Sequence, residues 1–243
     1  MASWSLTSSL TLPWADQMTL VSYTVRNRVA YVELCNSDRG NPVNQAMLDD
    51  LADSLHRVIS ELHRMDAIVV SIVRGPAAGA GVALAAAADI VLASTSAKFT
   101  LAYTKIGFSP DGGTSLMTAS LGLHRMLALA LLNTELSGED ARAAGLVTGL
   151  YSGQNLNAGV AETVRKLRAG SREAQVMAKR LLREQALPDE DAALRRETLT
   201  IRAQAASADG REGVAAFLGK RAAHFPSSAV TMSAQDGAPV PPT

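Results

Sequence analysis

The sequence has one cysteine, Cys35, among 243 residues. A single thiol excludes an intrachain disulfide framework and suits a reducing compartment such as the cytoplasm. Placed in an apolar, alternating run, it reads as a small buried hydrophobe. Excess charge of either sign is also missing, because 23 Lys and Arg balance 23 Asp and Glu. That leaves no electrostatic footprint for nucleic acid. No stretch reaches the ~18 uninterrupted apolar residues of a membrane span. The opening "MASWSLTSSLTLPWADQ" lacks a basic start and is interrupted by Pro13. Residues 1–18 therefore read as a flexible extension rather than a secretion signal. Residues 227–243, "SSAVTMSAQDGAPVPPT", are polar and rich in proline, the composition of a disordered tail. The whole chain is 47% hydrophobic, enough for a sizeable core.

Tyr23–Cys35, "YTVRNRVAYVELC", alternates around Arg26-Asn27-Arg28 and predicts a β-hairpin. After the turn sequence "NSDRGNPVN", Asn44 can cap a helix. Leu48, Leu51, Leu55, Val58, Ile59, Leu62 and Met65 mark one face of that helix. Ala67–Val73, "AIVVSIV", is continuously apolar, as in a parallel strand buried on both sides. Gly75–Gly81 then predicts a tight loop, Val82–Ala88 a helix and Asp89–Ser94 a second strand. Together these make a strand–helix–strand unit. Thr114–Leu132 is helical with Gly122 as a joint, and Ser137 caps a further helix that ends before Gly145. From Asn155 the pattern is helical throughout. Residues 19–153 therefore form an α/β core, and residues 154–226 a helical C-terminal region. His56 and His63 lie seven apart on one helical face with no third ligand nearby, and are expected at the surface. No metal site is expected.

Residues 75–89, "GPAAGAGVALAAAAD", are nearly stripped of side chains. The dinucleotide fingerprint fails here, since Gly79-Ala80-Gly81-Val82-Ala83-Leu84 lacks its last small residue and Asp89 precedes the second strand instead of closing it. The phosphate loop fails because no Lys-Ser/Thr follows. Close packing remains open, and so does an anion hole. A helix N-terminus presents unpaired N–H groups, and small residues let a ligand oxygen reach the Ala80 N–H directly.

"VRGPAAGAGVALAAAADIVLASTSAKFTLAYTKIGFSPDGGTS", then "LSGEDARAAGLV", then "REGVAAFLGKR", resemble the crotonase (enoyl-CoA hydratase/isomerase) superfamily over about residues 23–226. The resemblance implies a crotonase-type ββα spiral core, here truncated, followed by a helical C-terminal region. It implies assembly as a homotrimer or homohexamer through residues 154–226, with Val160, Val164, Leu167, Leu181, Leu182 and Phe217 as packing residues. It makes the Ala80 N–H one of two oxyanion donors to an acyl thioester, with Gly79, Gly81, Ala83, Phe108 and Gly112 around the substrate. Lys220 and Arg221, in "FLGKR", are placed to meet CoA phosphates or, equally well, to complement the C-terminal end of a helix dipole. The family's hydratases use two glutamates, and the matching positions hold Ala83 and Tyr103, which argues against simple hydration. Asp111, in "SPDGG", stands where superfamily isomerases place a proton-moving carboxylate. Pro-Asp-Gly-Gly is equally ordinary turn sequence. Tyr103 is a proton donor or a wall residue. Ile106, Phe108 and the loop alanines should leave Asp111 poorly hydrated.

One departure is large. The family carries a segment between its first helix and the strand before the glycine loop, and this segment supplies the other oxyanion donor. Here the helix runs straight into Ala67. Losing one such donor costs ~10²–10³ in rate. Three readings follow. The first is an enoyl-CoA isomerase-like enzyme in which Asp111 shuttles a proton, needing no cofactor beyond a CoA or carrier-protein thioester that arrives as substrate. The second is a biosynthetic, cyclase-type enzyme holding an apolar polyene or polyketide without CoA. The third is a catalytically degenerate, oligomerising subunit.

Overall fold

The computed structural model describes residues 21–26, 29–34 and 45–229, with side chains from Leu55 to Ser228. Cys35, Asn44 and residues 1–18 lie outside them. The expected hairpin is present: β1 (Val21–Arg26) pairs antiparallel with β2 (Val29–Leu34), with Arg26 opposite Val29. Helix α1 (Gln45–Arg64) follows, then β3 (Val69–Val73). The segment expected as a bare loop holds a short strand, β4 (Pro76–Ala78), before α2 (Ala80–Ala86). Next come β5 (Ile90–Ser94), β6 (Lys98–Thr100), a 3-10 turn at Thr104–Ile106 and another at Thr114–Met117. Helices α3 (Thr118–Leu121) and α4 (Leu123–Leu131) flank Gly122, the expected joint. Then follow β7 (Leu136–Ser137), α5 (Gly138–Ala143) and β8 (Gly149–Tyr151). Ser137 caps α5 by accepting the Asp140 N–H at 3.1 Å. The remaining elements are helical: α6 (Leu156–Ala169), α7 (Arg172–Ala186), α8 (Glu190–Ala205), α9 (Ala208–Leu218) and a last turn, α10 (Pro226–Ala229). Ser227, expected at the start of the tail, lies within α10, and its N–H donates to Asp209.

Two sheets alternate along the chain. One runs β1-β2-β3-β5-β8, parallel from β2 onward; the other runs β4-β6-β7. β3, β4 and α2, and then β5, β6 and the helices after them, each give a strand to the first sheet, a strand to the second and then helix. This is the expected ββα spiral. β3 is buried at all five positions because both sheet faces are covered. Val69 and Val73 join the main core with Val82, Phe99 and Met117. Val70, Ile72 and Leu92 face the other way, against Leu156 and Val160 of α6. The one polar residue of β3, Ser71, is satisfied by donating to Ala85 O at 3.0 Å.

A buried charge node joins three of these elements. Asp89 Oδ2 accepts the Val69 N–H at 2.8 Å and pairs with Lys179 Nζ at 2.9 Å. Its Oδ1 takes the Nε and Nη2 of Arg183 at 3.0 and 2.7 Å. Lys179 also donates to Leu62 O and Ala67 O at 2.7 and 2.9 Å, tying the end of α1 to the start of β3. Burial pushes the Lys179 ammonium below its usual range, against the pull of Asp89.

Of the expected subunit-packing residues, Val160, Val164 and Leu167 belong to the interior with α6. Leu181, Leu182 and Phe217 are exposed, as are Leu123, Leu127 and Leu131 along one stripe of α4. Lys179→Met keeps the apolar stem but leaves two carbonyls and Asp89 Oδ2 without their ammonium. It should lower the unfolding free energy by about 1–3 kcal/mol in a urea titration, the cost of unsatisfied buried groups. An unchanged midpoint would show that the node does not hold the fold.

Candidate functional site

The glycine loop enters α2 with Gly79 at φ 53°, a left-handed value that a side chain disfavours. Gly79 carries no side-chain cap, and the Ala80 N–H makes no hydrogen bond among the described residues. It is therefore one of the orphan donors of a helix start. Gly79 lies against Tyr103: a Cβ built on it would fall 3.9 Å from the phenol ring. The Tyr103 hydroxyl in turn donates to the Asp111 carbonyl at 3.0 Å. Thr114 Oγ1 donates to the same oxygen at 2.6 Å. Ala83 is buried and faces Gly112, where a Cβ would lie 4.0 Å away. The structure thus gathers Gly79, Ala80, Gly81, Ala83, Tyr103, Asp111 and Gly112 into one region. Phe108 is fully enclosed and lines no open surface. Lys220 is exposed just past α9, while its neighbour Arg221 is held by both oxygens of Glu212, at 2.6 and 2.8 Å.

Asp111 does not sit among apolar groups alone, as expected. His56 Nε2 is 2.9 Å from its Oδ1, and both residues are buried. His56 and His63 were expected at the surface, but they are 8% and 6% exposed. The reason is α8. It packs on the side of α1 next to the Leu55–Ile59–Leu62 stripe, leaving Val58 exposed instead. His63 Nδ1 meets Glu190 Oε1 at 3.0 Å, at one end of this contact. His56 meets Glu197 at the other. Its Nε2 is 3.3 Å from Glu197 Oε2, and its Nδ1 is 2.8 Å from Thr198 Oγ1. Thr198 donates onward to Leu194 O.

Glu197 also closes the start of the second 3-10 turn. Its Oε2 accepts the Gly113 N–H and its Oε1 the Ser115 N–H, each at 2.7 Å. A carboxylate there satisfies orphan donors and meets the positive end of the backbone dipole. Gly112 and Gly113 take φ values of 67° and 80° to make this turn, and a Cβ on Gly112 would collide with Leu55. Leu55 thus fills the space beside Gly112. Val82, Phe99, Leu101, Met117 and Leu129 pack together in the core with no room between them for a water molecule, and the glycine loop is not part of this cluster.

Burial opposes a charge on His56, but contacts with Asp111 and Glu197 and their negative charges outweigh it. They raise the imidazole from 6.5 to about 9. In the charged form Nδ1–H donates to Thr198 and Nε2–H points at Glu197. The Gly112 N–H, 3.1 Å from Nε2, can donate to it only in the neutral form. Asp111 Oδ1 lies beside the ring nitrogen without a hydrogen bond of its own. Burial pushes the Tyr103 phenol well above its usual value, so it serves as a donor and not a base. His56, Asp111 and Glu197 bring three potential metal-ligand atoms within 4.8 Å. The Glu197 oxygens already hold two backbone N–H groups, while Asp111 Oδ1 keeps its lone pairs uncommitted.

Among the described residues, no helix is long and apolar enough to cross a membrane. The alternating sheets and the small-residue helix start define a crotonase-type fold. In line with this, the enoyl-CoA hydratase/isomerase family profile matches residues 57–228. A 1,2-epoxyphenylacetyl-CoA isomerase of Escherichia coli (strain K12) is 35% identical over 181 residues, 72% of this chain and 69% of that protein. A probable enoyl-CoA hydratase of Rhodobacter capsulatus is 29% identical over 90% of this chain and 89% of its own length. A solved enoyl-CoA hydratase from Mycobacterium avium subsp. paratuberculosis K-10 superposes with a TM-score of 0.76 at 30% identity, over 85% of this chain and 98% of that one. The chain belongs to the enoyl-CoA hydratase/isomerase family, within the crotonase superfamily.

The raised His56 value has a sign for stability. A proton held more tightly in the folded state stabilises fully below the unfolded value of 6.5, and that stabilisation is lost as pH rises through about 9. The stability difference between the wild type and His56→Gln, from chemical unfolding, should therefore be larger at pH 6 than at pH 10. Equal differences at the two values would show that His56 is not charged in the fold.

Proposed function

We propose that the protein moves a double bond in an acyl thioester by a proton shuttle on Asp111. The carbonyl oxygen accepts the Ala80 N–H, which polarises it. Asp111 removes a proton from the α or γ carbon, and the electrons pass into an enolate facing Ala80. The same proton returns to the other carbon, so one carboxylate suffices. The observation that carries this reading is Asp111 itself: a buried carboxylate, fixed through its carbonyl by Tyr103 and Thr114, next to the glycine loop. The residues matching the hydratases' two glutamates, Ala83 and Tyr103, offer no carboxylate to orient water. The substrate is a small molecule whose CoA or carrier-protein thioester arrives with it, and no resident cofactor or metal is needed. Lys220 is the cation nearest in sequence to the chain end of α9 for a CoA phosphate. A cytoplasmic setting fits the lone Cys35.

The degenerate-subunit reading draws on the absent second donor and on the Leu55 side chain filling the space against Gly112. The cyclase-type reading draws on the missing CoA-cradling segment and the low charge. Turnover separates them. With 3-decenoyl-CoA, Asp111→Asn should lower isomerisation by ~10²-fold or more with little change in melting temperature. Hydration of crotonyl-CoA should stay near background. Robust hydration, or an Asp111→Asn enzyme as fast as wild type, would reject the isomerase reading, and no turnover of any thioester would favour the degenerate one.

Assembly as a homotrimer or homohexamer completes the proposal. The stripe Leu123, Leu127 and Leu131, together with Leu181, Leu182 and Phe217, supplies apolar surface for it. Light scattering at micromolar concentration should give three or six times the chain mass. A stable monomer would count against it.

A further inference from the structure

The isomerase reading uses Asp111 and leaves two buried partners, His56 and Glu197, without a task. We infer that His56, clamped between Glu197 and Thr198, is a positioning residue that holds Asp111 as an oriented, charged carboxylate ready to accept a substrate proton. The inference rests on the reading of Asp111 as the proton-transfer group and extends it to an ion triad assembled from α1, α8 and the loop before the second 3-10 turn.

Four observations support it. First, His56 is held at both ring nitrogens, at 2.8 Å by Thr198 and 3.3 Å by Glu197, so the ring has one orientation. Second, Asp111 Oδ1 lies 2.9 Å from Nε2 and forms no hydrogen bond, so its lone pairs are uncommitted and open to a substrate proton. Third, Glu197 is itself immobilised by the Gly113 and Ser115 N–H groups, so the clamp is anchored to the loop that carries Asp111. Fourth, the charged groups acting on His56 are Asp111 from the loop and Glu197 from α8. The ammonium of α7 that reaches α1, Lys179, is engaged at Leu62 and Asp89.

The alternative is that His56 only fastens α1 to α8. Titration distinguishes the two roles. Histidine-15N-labelled full-length protein, followed by NMR from pH 5 to 10.5, should show His56 charged past neutrality and losing its proton near pH 9. Asp111→Asn should move that midpoint down by about one unit or more, since it deletes one of two opposing charges. A His56 midpoint near 6.5, or one unmoved by Asp111→Asn, would overturn the inference, and neither measurement needs a substrate. In the kinetic arm with 3-decenoyl-CoA, wild-type kcat should fall on the alkaline side as His56 deprotonates. His56→Gln should lower kcat about tenfold at pH 7 and abolish that alkaline limb, with KM little changed. Loss of turnover in Asp111→Asn, with kcat and the alkaline limb intact in His56→Gln, would sink the positioning role and leave the isomerase reading standing. Full turnover in Asp111→Asn would sink the isomerase reading. Stoichiometric micromolar binding of ZnCl2 or MnCl2, lost in His56→Gln, would overturn the ion triad in favour of a metal centre.

Discussion

Three ionisable side chains removed from water can persist only if each supplies what the others lack. His56, Asp111 and Glu197 meet that condition from positions far apart in the chain. A lone buried carboxylate would neutralise or relocate, and a lone buried imidazole would give up its proton. Together, with Thr198 bonded to His56 and two backbone N–H groups bonded to Glu197, they form a junction that neither α1 nor α8 could form alone, and Asp111 Oδ1 is left without a hydrogen bond. Much of the C-terminal half's placement follows from it. α8 must lie along α1 for Glu197 to reach His56, and the loop at 111–115 must turn left-handed twice for its N–H groups to reach Glu197. Breaking any one contact would leave an uncompensated charge, the costliest kind of buried defect.

The small-residue segment is subject to a different constraint. Gly79 turns the chain into α2 with the Ala80 N–H unpaired, and Ala83 brings only a methyl beside Gly112. On the proposed reading the first is a polarising donor, and the glycine loop adds no carboxylate of its own. The proposed chemistry then falls to Asp111, and the partners that orient Asp111 bear on the rate.

The fold was legible because its signals are local. The alternation around Arg26-Asn27-Arg28, the unbroken apolar run before Gly75, the Gly122 joint and the Ser137 cap each state a backbone requirement in a few residues, and each appears where expected. The site was only half legible. Tyr103 and Asp111 meet through a hydrogen bond, with Gly79 and Ala83 beside them. His56 did not announce itself, because a histidine at the margin of an apolar stripe looks solvated until the helix that covers it is known. The available signal lay elsewhere, in α8. Glu197 falls between Leu194 and Ile201 on one buried stripe, an anomalous position for a carboxylate without a partner. A buried glutamate on one helix and a histidine pair on another are each uninformative alone. Their relation is tertiary, and no spacing within the sequence encodes it.

The same reasoning bears on the short link between α1 and β3. α1 passes almost directly into β3, and the junction at residues 64–69 is held from outside. Lys179 binds the carbonyls at Leu62 and Ala67, and Arg180 pairs with Asp66 at 2.5 Å. Arg172 donates to Asp66 O, and Asp89 holds the first N–H of β3. All three cations come from α7. The helical region therefore does more than offer exposed leucines to another subunit. It clamps the point where the chain is shortest, and through α8 it also reaches the carboxylate to which the chemistry is assigned. A helical tail that both secures the junction and seats His56 makes the α/β core depend on it, and the two halves of the chain are one mechanical unit.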